Sequence, residues 1–177
     1  LSFDAGIDQS AWRDRIKASM TGFRVDVDSL TAFDSSGGIR PGTDPFGRSL
    51  GYVNGSGGFS RGLELGVDAR PTSTLSLSTS YTFTDAETNH DITVPGFFKV
   101  PAVFRHTATM VVTANWTSRL DTTFDLFHGS EHYAALFAAG RPRAYRFPGF
   151  TTAGVIAGYR LSSTPRALRL YVKFDNL

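Results

Sequence analysis

The sequence predicts an all-β fold, an antiparallel up-and-down meander of about eight strands. Apolar and polar residues alternate over most of the chain, which is the period of a strand that has one apolar and one polar face. Short connections alternate with long ones along the chain. Although 41% of the 177 residues are hydrophobic, no run approaches the roughly 20 apolar residues of a membrane-spanning helix. Together these observations favour hairpins joined in sequence order.

The first two strands differ in regularity. The first, over residues 1–12, alternates cleanly, with Phe3 on one face and Asp4 on the other. The second, over residues 15–33, changes the parity of its apolar residues near Gly22. A β-bulge near Gly22 would bring both halves of this strand to the same face, so we predict one there.

The clearest hairpin joins the strands predicted over residues 59–70 and 74–84. Leu65 and Leu77 belong to its apolar face, and Glu64 belongs to its polar face. The short turn between the two strands contains the residue types that favour reverse turns.

Four more strands are predicted by the same alternation. Their ranges are 106–117, 120–128, 149–161 and 167–175. Val112 belongs to an apolar face and its neighbour Thr113 to a polar one. Trp12 and Trp116 lie beside short turns, where an aromatic girdle at one membrane interface would be found.

The connections alternate in length in a regular order. Long segments without predicted structure cover residues 34–58, 85–105 and 129–148, and short turns join the other strands. Outer-membrane barrels show this order, with short periplasmic turns and long extracellular loops. Loops of this length also argue against a compact soluble domain. The apolar face would therefore meet lipid in a barrel, with the core of a soluble β-sandwich as the alternative.

The composition excludes several classes of function. The net charge is +2 with acids and bases mixed along the chain, so no nucleic-acid partner is predicted. The absence of cysteine excludes zinc–thiolate sites and disulfide scaffolds, and no cofactor-binding motif is present. Asp125, His128 and Ser130 are residue types of a nucleophile–base–acid set, but no strand–turn–helix context surrounds Ser130. We therefore predict no cofactor and no enzymatic activity.

Several segments of the chain resemble the late barrel strands of TonB-dependent outer-membrane receptors. Those receptors carry a Tyr-x-Asn segment, a Gly-x-Glu strand entry and a Ser-Tyr-Thr-x-Thr-Asp-Ala strand. Here these correspond to Tyr52 and Asn54, to Gly62 and Glu64, and to residues 80–86. The family's Val-Pro-x-x-x-x-His entry and its Asn-Leu strand ending match the segments KVPAVFRH and LRLYVKFDNL.

The resemblance implies a place in a larger molecule. The family barrel has 22 strands around a plug domain, and residues 1–177 would be a fragment from its C-terminal portion, supplying the fourteenth to twenty-first strands. The sequence lacks the family's plug, energy-coupling box and final strand with its terminal aromatic residue. We therefore expect an open eight-stranded sheet, in which the strands over 1–12 and 167–175 do not pair, and no transport by the fragment alone.

The resemblance also implies a function. It is that of an outer-membrane receptor of a Gram-negative bacterium that binds a scarce small-molecule ligand, such as a ferric siderophore or a similar metal chelate, and imports it using TonB-coupled energy. The implied partners are outer-membrane lipid and the TonB complex, the latter through the missing N-terminal region. A passive outer-membrane porin and a soluble β-sandwich binding module are the alternatives.

Two long loops carry the candidate ligand-binding residues. They are His132, Tyr133, Arg141, Arg143 and Tyr145 in the third loop, and His90 and Phe98 in the second. Basic and aromatic side chains suit an anionic, aromatic metal chelate. An ordinary solvated loop has a similar composition, and no family motif assigns these residues to the ligand.

Overall fold

The computed structural model describes residues 1–34, 46–48, 51–89, 97–138, 141–164 and 167–176. These residues form ten β-strands. The strands are β1 (Ser2–Ala11), β2 (Ile16–Asp34), β3 (Gly51–Ala69), β4 (Leu75–Thr88), β5 (His106–Asn115), β6 (Leu120–Gly129), β7 (His132–Ala138), β8 (Arg141–Phe147), β9 (Phe150–Arg160) and β10 (Arg169–Asp175). No helix that could cross a membrane is found in the part of the chain described.

Eight strands form a single antiparallel sheet in the order β1-β2-β3-β4-β5-β6-β9-β10. Strands β7 and β8 form a separate hairpin, which is inserted between β6 and β9. The edge strands β1 and β10 do not pair with each other. The prediction of an open antiparallel meander in sequence order is confirmed.

The register places the alternating residues on two chemically different faces. Leu77 pairs with Val112, Val112 with Phe124, and Phe124 with Val155, so one row of apolar side chains crosses four strands. We call this side the apolar face. Thr113 pairs with Ser76 and Thr123 on the opposite side, which we call the polar face. The face assignments made from sequence parity are therefore reproduced by strand pairing.

The sheet has no hydrophobic core. Among the described residues, Ala69 is the buried hydrophobic residue, and no large side chain is fully buried. Met20 and Leu65, which pair on the apolar face of the interior strands β2 and β3, are 46% and 37% exposed. A soluble sandwich would bury such side chains between two sheets, whereas here a single layer leaves them uncovered. This architecture does not support the alternative of a soluble β-sandwich.

The two ends of the sheet differ in their connections. The turn end carries the short turns after β1, β3, β5 and β9, and the loop end carries the long connections after β2, β4 and β6. At the turn end Trp116 donates its indole hydrogen to Thr122 at 2.9 Å. At the loop end Tyr81 hydrogen-bonds His106 at 2.7 Å.

These two aromatic levels bound the apolar face. The extended chain between His106 and Trp116 spans about 33 Å, at ~3.3 Å per residue. With the strand tilt of about 35–45° found in outer-membrane barrels, this distance corresponds to ~25 Å along the membrane normal, the height of their apolar band.

The bulge predicted near Gly22 is wrong. The pairing of β2 with β3 keeps one register from Ile16 to Asp34, so Phe23 falls on the polar face. It fits there because its partner is Gly62, where an added Cβ would lie 2.6 Å from the Phe23 ring. On the apolar side the same stretch carries Arg24 and Asp26, which form an ion pair at 2.8 Å. The parity change marks the end of the apolar band.

Two predicted loops are shorter than expected. Strand β3 begins at Gly51, inside the predicted loop over residues 34–58, and β4 continues to Thr88. The glycine-rich sequence suggested a loop because glycine disfavours strands. Here Gly58 is buried, and an added Cβ would lie 2.4 Å from the carbonyl oxygen of Glu87. The glycine is needed for close approach of neighbouring strands.

The third predicted loop, over residues 129–148, contains the hairpin of β7 and β8. This hairpin was missed from the sequence. It carries most of the candidate ligand-binding residues, which therefore lie on a regular scaffold rather than on an irregular loop.

Candidate ligand-binding site

Five aromatic rings meet on the polar face at the loop end. We call them the aromatic cluster, and its members are Phe104, Phe127, His132, Phe147 and Phe150. The ring of Phe104 lies at its centre, with ring centroids 4.6 Å from His132, 5.7 Å from Phe150 and 6.3 Å from Phe127. His132 stacks on Phe147 at 5.4 Å and an interplanar angle of 15°.

Two glycines allow this cluster to form. Gly129 ends β6 and is buried beneath Phe104, whose ring would lie 2.9 Å from an added Cβ. At Gly149 an added Cβ would lie 2.9 Å from the carbonyl oxygen of Gly129. The absence of both side chains lets the Phe104 segment fold onto the sheet and lets the chain return from β8 into β9 beside β6.

The hairpin sorts the predicted residues of the third loop onto two sides. By register, His132, Arg143 and Tyr145 share one side with Phe147, which is the side that joins the aromatic cluster. Tyr133 lies on the other side, with its ring 5.1 Å from that of Phe97.

The remaining predicted residues are not brought into the cluster. Arg141 pairs with Ala138 through the backbone, and its side chain lies outside the described part of the structure. Phe98 is 47% exposed, and its carbonyl oxygen accepts a hydrogen bond from Thr88. His90 lies outside the described residues.

His132 is chemically unusual within the cluster. Its Nδ1 is buried, with no hydrogen-bond partner among the described residues. A buried polar atom without a partner costs about 1–3 kcal/mol, and such atoms in native structures call for a specific explanation. A hydrogen-bonding group of a bound ligand would satisfy this nitrogen.

The cations of the hairpin differ in their partners. Arg146 forms an ion pair with Glu131, with Nε at 2.8 Å from the carboxylate. This hydrogen bond raises the pKa of Arg146. Arg143 makes no ion pair within the described ranges. Of these two guanidinium groups, Arg143 is therefore the one available to an anion.

The structure separates the residues that resembled a catalytic set. Asp125 and His128 fall on opposite faces of β6, since Asp125 pairs with Val111 and His128 with Ala108. His128 bonds Thr151 instead, and the hydroxyl of Ser130 accepts a hydrogen bond from the backbone of His106. Among the described residues no group of three or more His, Asp or Glu side chains could hold a metal ion.

Comparison with known families identifies the architecture. The family model described as TonB dependent receptor-like, beta-barrel, matches residues 1–177. The chain belongs to the TonB-dependent receptor β-barrel family. This family consists of transport receptors, and the match favours such a receptor over a passive porin. No curated protein matches the chain.

Solved structures of TonB-dependent receptors share the fold. The ferripyoverdine receptor of the outer membrane of Pseudomonas aeruginosa, bound to ferripyoverdine, superposes with a TM-score of 0.76 at 13% identity, over 99% of this chain and 23% of the receptor. The siderophore receptor PiuA from Acinetobacter baumannii gives 0.70 at 17% identity, over 99% and 24%. The ferric-catecholate import receptor Fiu from K12 E. coli gives 0.72 at 18% identity, over 99% and 23%.

The chain thus spans about a quarter of the receptors it matches. In an outer-membrane barrel the apolar face meets lipid and the polar face lines the lumen. The aromatic cluster belongs to the polar face, the one that lines the lumen in barrels of this kind. That these strands are the late ones of the barrel stays a prediction.

Sequence reasoning missed four members of the cluster, namely Phe104, Phe127, Phe147 and Phe150. A signal was present, because phenylalanines that lie beside Gly129 and Gly149 can pack over the uncovered glycine backbone. The alternation also places Phe127 on a polar face, opposite Thr109.

Proposed function

We propose that the protein is part of an outer-membrane active-transport receptor that binds a ferric siderophore or similar metal chelate and imports it using TonB-coupled energy. The observation that carries the proposal is the aromatic cluster on the polar face, with the unpartnered Nδ1 of His132 among its rings. Two matched structures are described as a ferripyoverdine receptor and a ferric-catecholate import receptor, which supports this class of ligand.

The chemistry of the site suits such a ligand. Ferric chelates of this class are anionic and many carry aromatic rings. Tyr145 and Phe147 are each 38% exposed, so their rings can stack on a ligand. Arg143 can pair with its oxygen atoms through a planar guanidinium.

The first prediction tests binding in the full-length receptor. Arg143→Gln and Tyr145→Ala should each weaken binding of iron-55-labelled ferripyoverdine or a ferric tris-catecholate by about 5- to 30-fold, since a charged hydrogen bond or an aromatic contact contributes ~1–2 kcal/mol. The matched controls are Arg119→Gln in a turn and Tyr159→Ala on the apolar face. Equal losses in variants and controls would contradict this site.

Energy coupling is tested by import in the same cells. In cells that lack TonB, surface binding of the labelled chelate should persist while its accumulation inside the cell stops. A porin would admit the chelate without TonB and without saturation. Import that is unaffected by the loss of TonB would therefore disprove the proposed coupling and favour a porin.

The second prediction tests the orientation in the outer membrane of a Gram-negative cell. Asn89 lies at the loop end and Ser118 in a turn at the opposite end. A cysteine at Asn89 should react with a membrane-impermeant thiol reagent on intact cells, and a cysteine at Ser118 should react only after the membrane is opened. The reverse result would invert the topology. Gly42 and Gly140, which were also predicted to be extracellular, lie outside the described residues.

A further inference from the structure

A second recess lies on the apolar face, on the other side of the sheet from the aromatic cluster. We call it the outer groove. It has a volume of about 590 Å³, and its lining includes Lys99, Arg105, His106, His128 and Tyr133. It is distinct from the proposed chelate site because the two lie on opposite faces of the sheet. The groove lies at the level where the apolar band ends.

The register fixes the height of the outer groove. His106 pairs with Phe83, and His128 pairs with Ala108, which in turn pairs with Tyr81. These residues form the last aromatic rows of the apolar face before charged residues begin. In a membrane-embedded barrel this level meets the lipid headgroups.

The groove carries a cation that is held in place by an aromatic ring. The guanidinium of Arg105 lies 5.4 Å from the centroid of Phe83 and forms no ion pair with any residue in the described ranges. A cation–π contact orients such a group without neutralising its charge. Arg105 is therefore poised to pair with an anion at the headgroup level.

The second cation of the groove is Lys99. Its ammonium group contacts Glu87 and lies 3.6 Å from Asp85. The hydrogen bond to Glu87 raises the pKa of Lys99 although partial desolvation opposes this, so Lys99 is protonated throughout the physiological pH range.

The acids of the groove are already neutralised. Asp85 accepts hydrogen bonds from Arg61 at 3.0 and 3.1 Å, and Glu131 is paired with Arg146. The carboxylates therefore do not oppose an incoming anion as unpaired charges would.

Two imidazoles complete the groove. Nδ1 of His106 bonds the hydroxyl of Tyr81 at 2.7 Å, and Nδ1 of His128 bonds the hydroxyl of Thr151 at 2.8 Å. When Nδ1 accepts from a hydroxyl, Nε2 carries the ring proton and can donate it. Neither Nε2 has a partner among the described residues.

We propose that the outer groove binds the phosphorylated headgroup of a lipid of the outer leaflet. The phosphate pairs with Arg105 and accepts hydrogen bonds from His106 and His128, while the acyl chains lie along the apolar face below. The inference rests on the membrane placement proposed above but is independent of the transported ligand. Two arguments support this occupant. The charge of Arg105 complements a phosphate, and the groove lies at the level of the lipid headgroups.

The test is retention of lipid by the purified full-length receptor. The receptor is exposed to mixed micelles that contain bisphosphorylated lipid A, and bound lipid is counted by native mass spectrometry. Arg105→Gln should lower retention about fivefold, equivalent to ~1 kcal/mol, the contribution of one basic residue near an anionic lipid surface. The matched control is Arg24→Gln, an arginine on the same side that is paired with Asp26.

Four outcomes would overturn the proposal. One is equal retention by the Arg105 and Arg24 variants. Another is equal retention of lipid A and its fully dephosphorylated form by the native receptor. The third is displacement of the lipid by millimolar inorganic phosphate, which would identify a site for the free ion. Loss of chelate binding in Arg105→Gln, with lipid retention unchanged, would place this groove in the ligand pathway instead.

Discussion

Replacing Val112 with arginine should destabilise the full-length receptor by about 2–4 kcal/mol, the cost of an arginine near the bilayer midplane on the lipid side of a barrel. Val112 lies between Leu77 and Phe124 in the middle of the apolar face. An arginine there must leave its charge in hydrocarbon or thin the bilayer around it. Thr113 is the next residue and points to the polar face, where its hydroxyl bonds Thr123 at 3.2 Å.

The control is therefore Thr113→Arg, which differs only in the face that receives the charge. It should cost about 1 kcal/mol or less, the value of one neutral hydrogen bond. The free energy of unfolding is measured by guanidinium titration of the receptor in phospholipid vesicles. A similar loss for both variants, or a larger loss for Thr113→Arg, would show that the two faces have been exchanged.

Adding one methyl group at Gly62 should have the second largest effect. A Cβ at this position would lie 2.0 Å from the carbonyl oxygen of Phe83 and 2.6 Å from the ring of Phe23. The carbonyl belongs to the neighbouring strand and cannot move without loosening the β3–β4 ladder. We expect Gly62→Ala to cost about 1–3 kcal/mol, as other overpacked sites do.

Gly22 provides the matched position on the adjacent strand. The nearest atoms to an added Cβ there are 4.0 Å away, which is an ordinary contact. Gly22→Ala should change the free energy of unfolding by no more than about 0.5 kcal/mol. If Gly62→Ala is as stable as Gly22→Ala, then the close approach of β3 and β4 at Phe83 is not present in the folded receptor.

The sequence predicted the sheet well because parity is a local property. The row from Leu77 to Val112 and Phe124 needs only alternation within each strand and short turns that set the register. The parity prediction failed beyond the end of the apolar band, where side chains are no longer sorted by hydrophobicity between the two faces. At Phe23 the strand has passed the apolar band, so its apolar side chain no longer reports the face that meets hydrocarbon.

The hairpin of β7 and β8 was missed for a different reason. Its strands, HYAALFA and RPRAYRF, are separated by Ala139 and Gly140, a spacing that suits a two-residue connection. Pro142 and the arginines gave the second strand the composition of a loop, although proline is tolerated in a two-stranded ribbon that has only edges.

The ligand site could be predicted only in part. The basic and aromatic residues His132, Arg143 and Tyr145 were found because they lie close together in the sequence. The ring of Phe104 could not be assigned to them, since its contact with His132 depends on how the segment after β4 folds back over Gly129. Such contacts depend on tertiary structure and leave no local period in the sequence.

The absence of a hydrophobic core has a consequence for the energetics of unfolding. In a water-soluble domain, melting moves buried side chains into water, and the large positive heat-capacity change records that transfer. Here the apolar side chains already lie at the surface, with Met20 at 46% and Leu65 at 37% exposure on interior strands. In a detergent micelle these side chains contact detergent in both the folded and the unfolded receptor. Calorimetry of the receptor should therefore show a small heat-capacity change of unfolding. The unfolding enthalpy should come mainly from the backbone hydrogen bonds between strands and should change little with temperature.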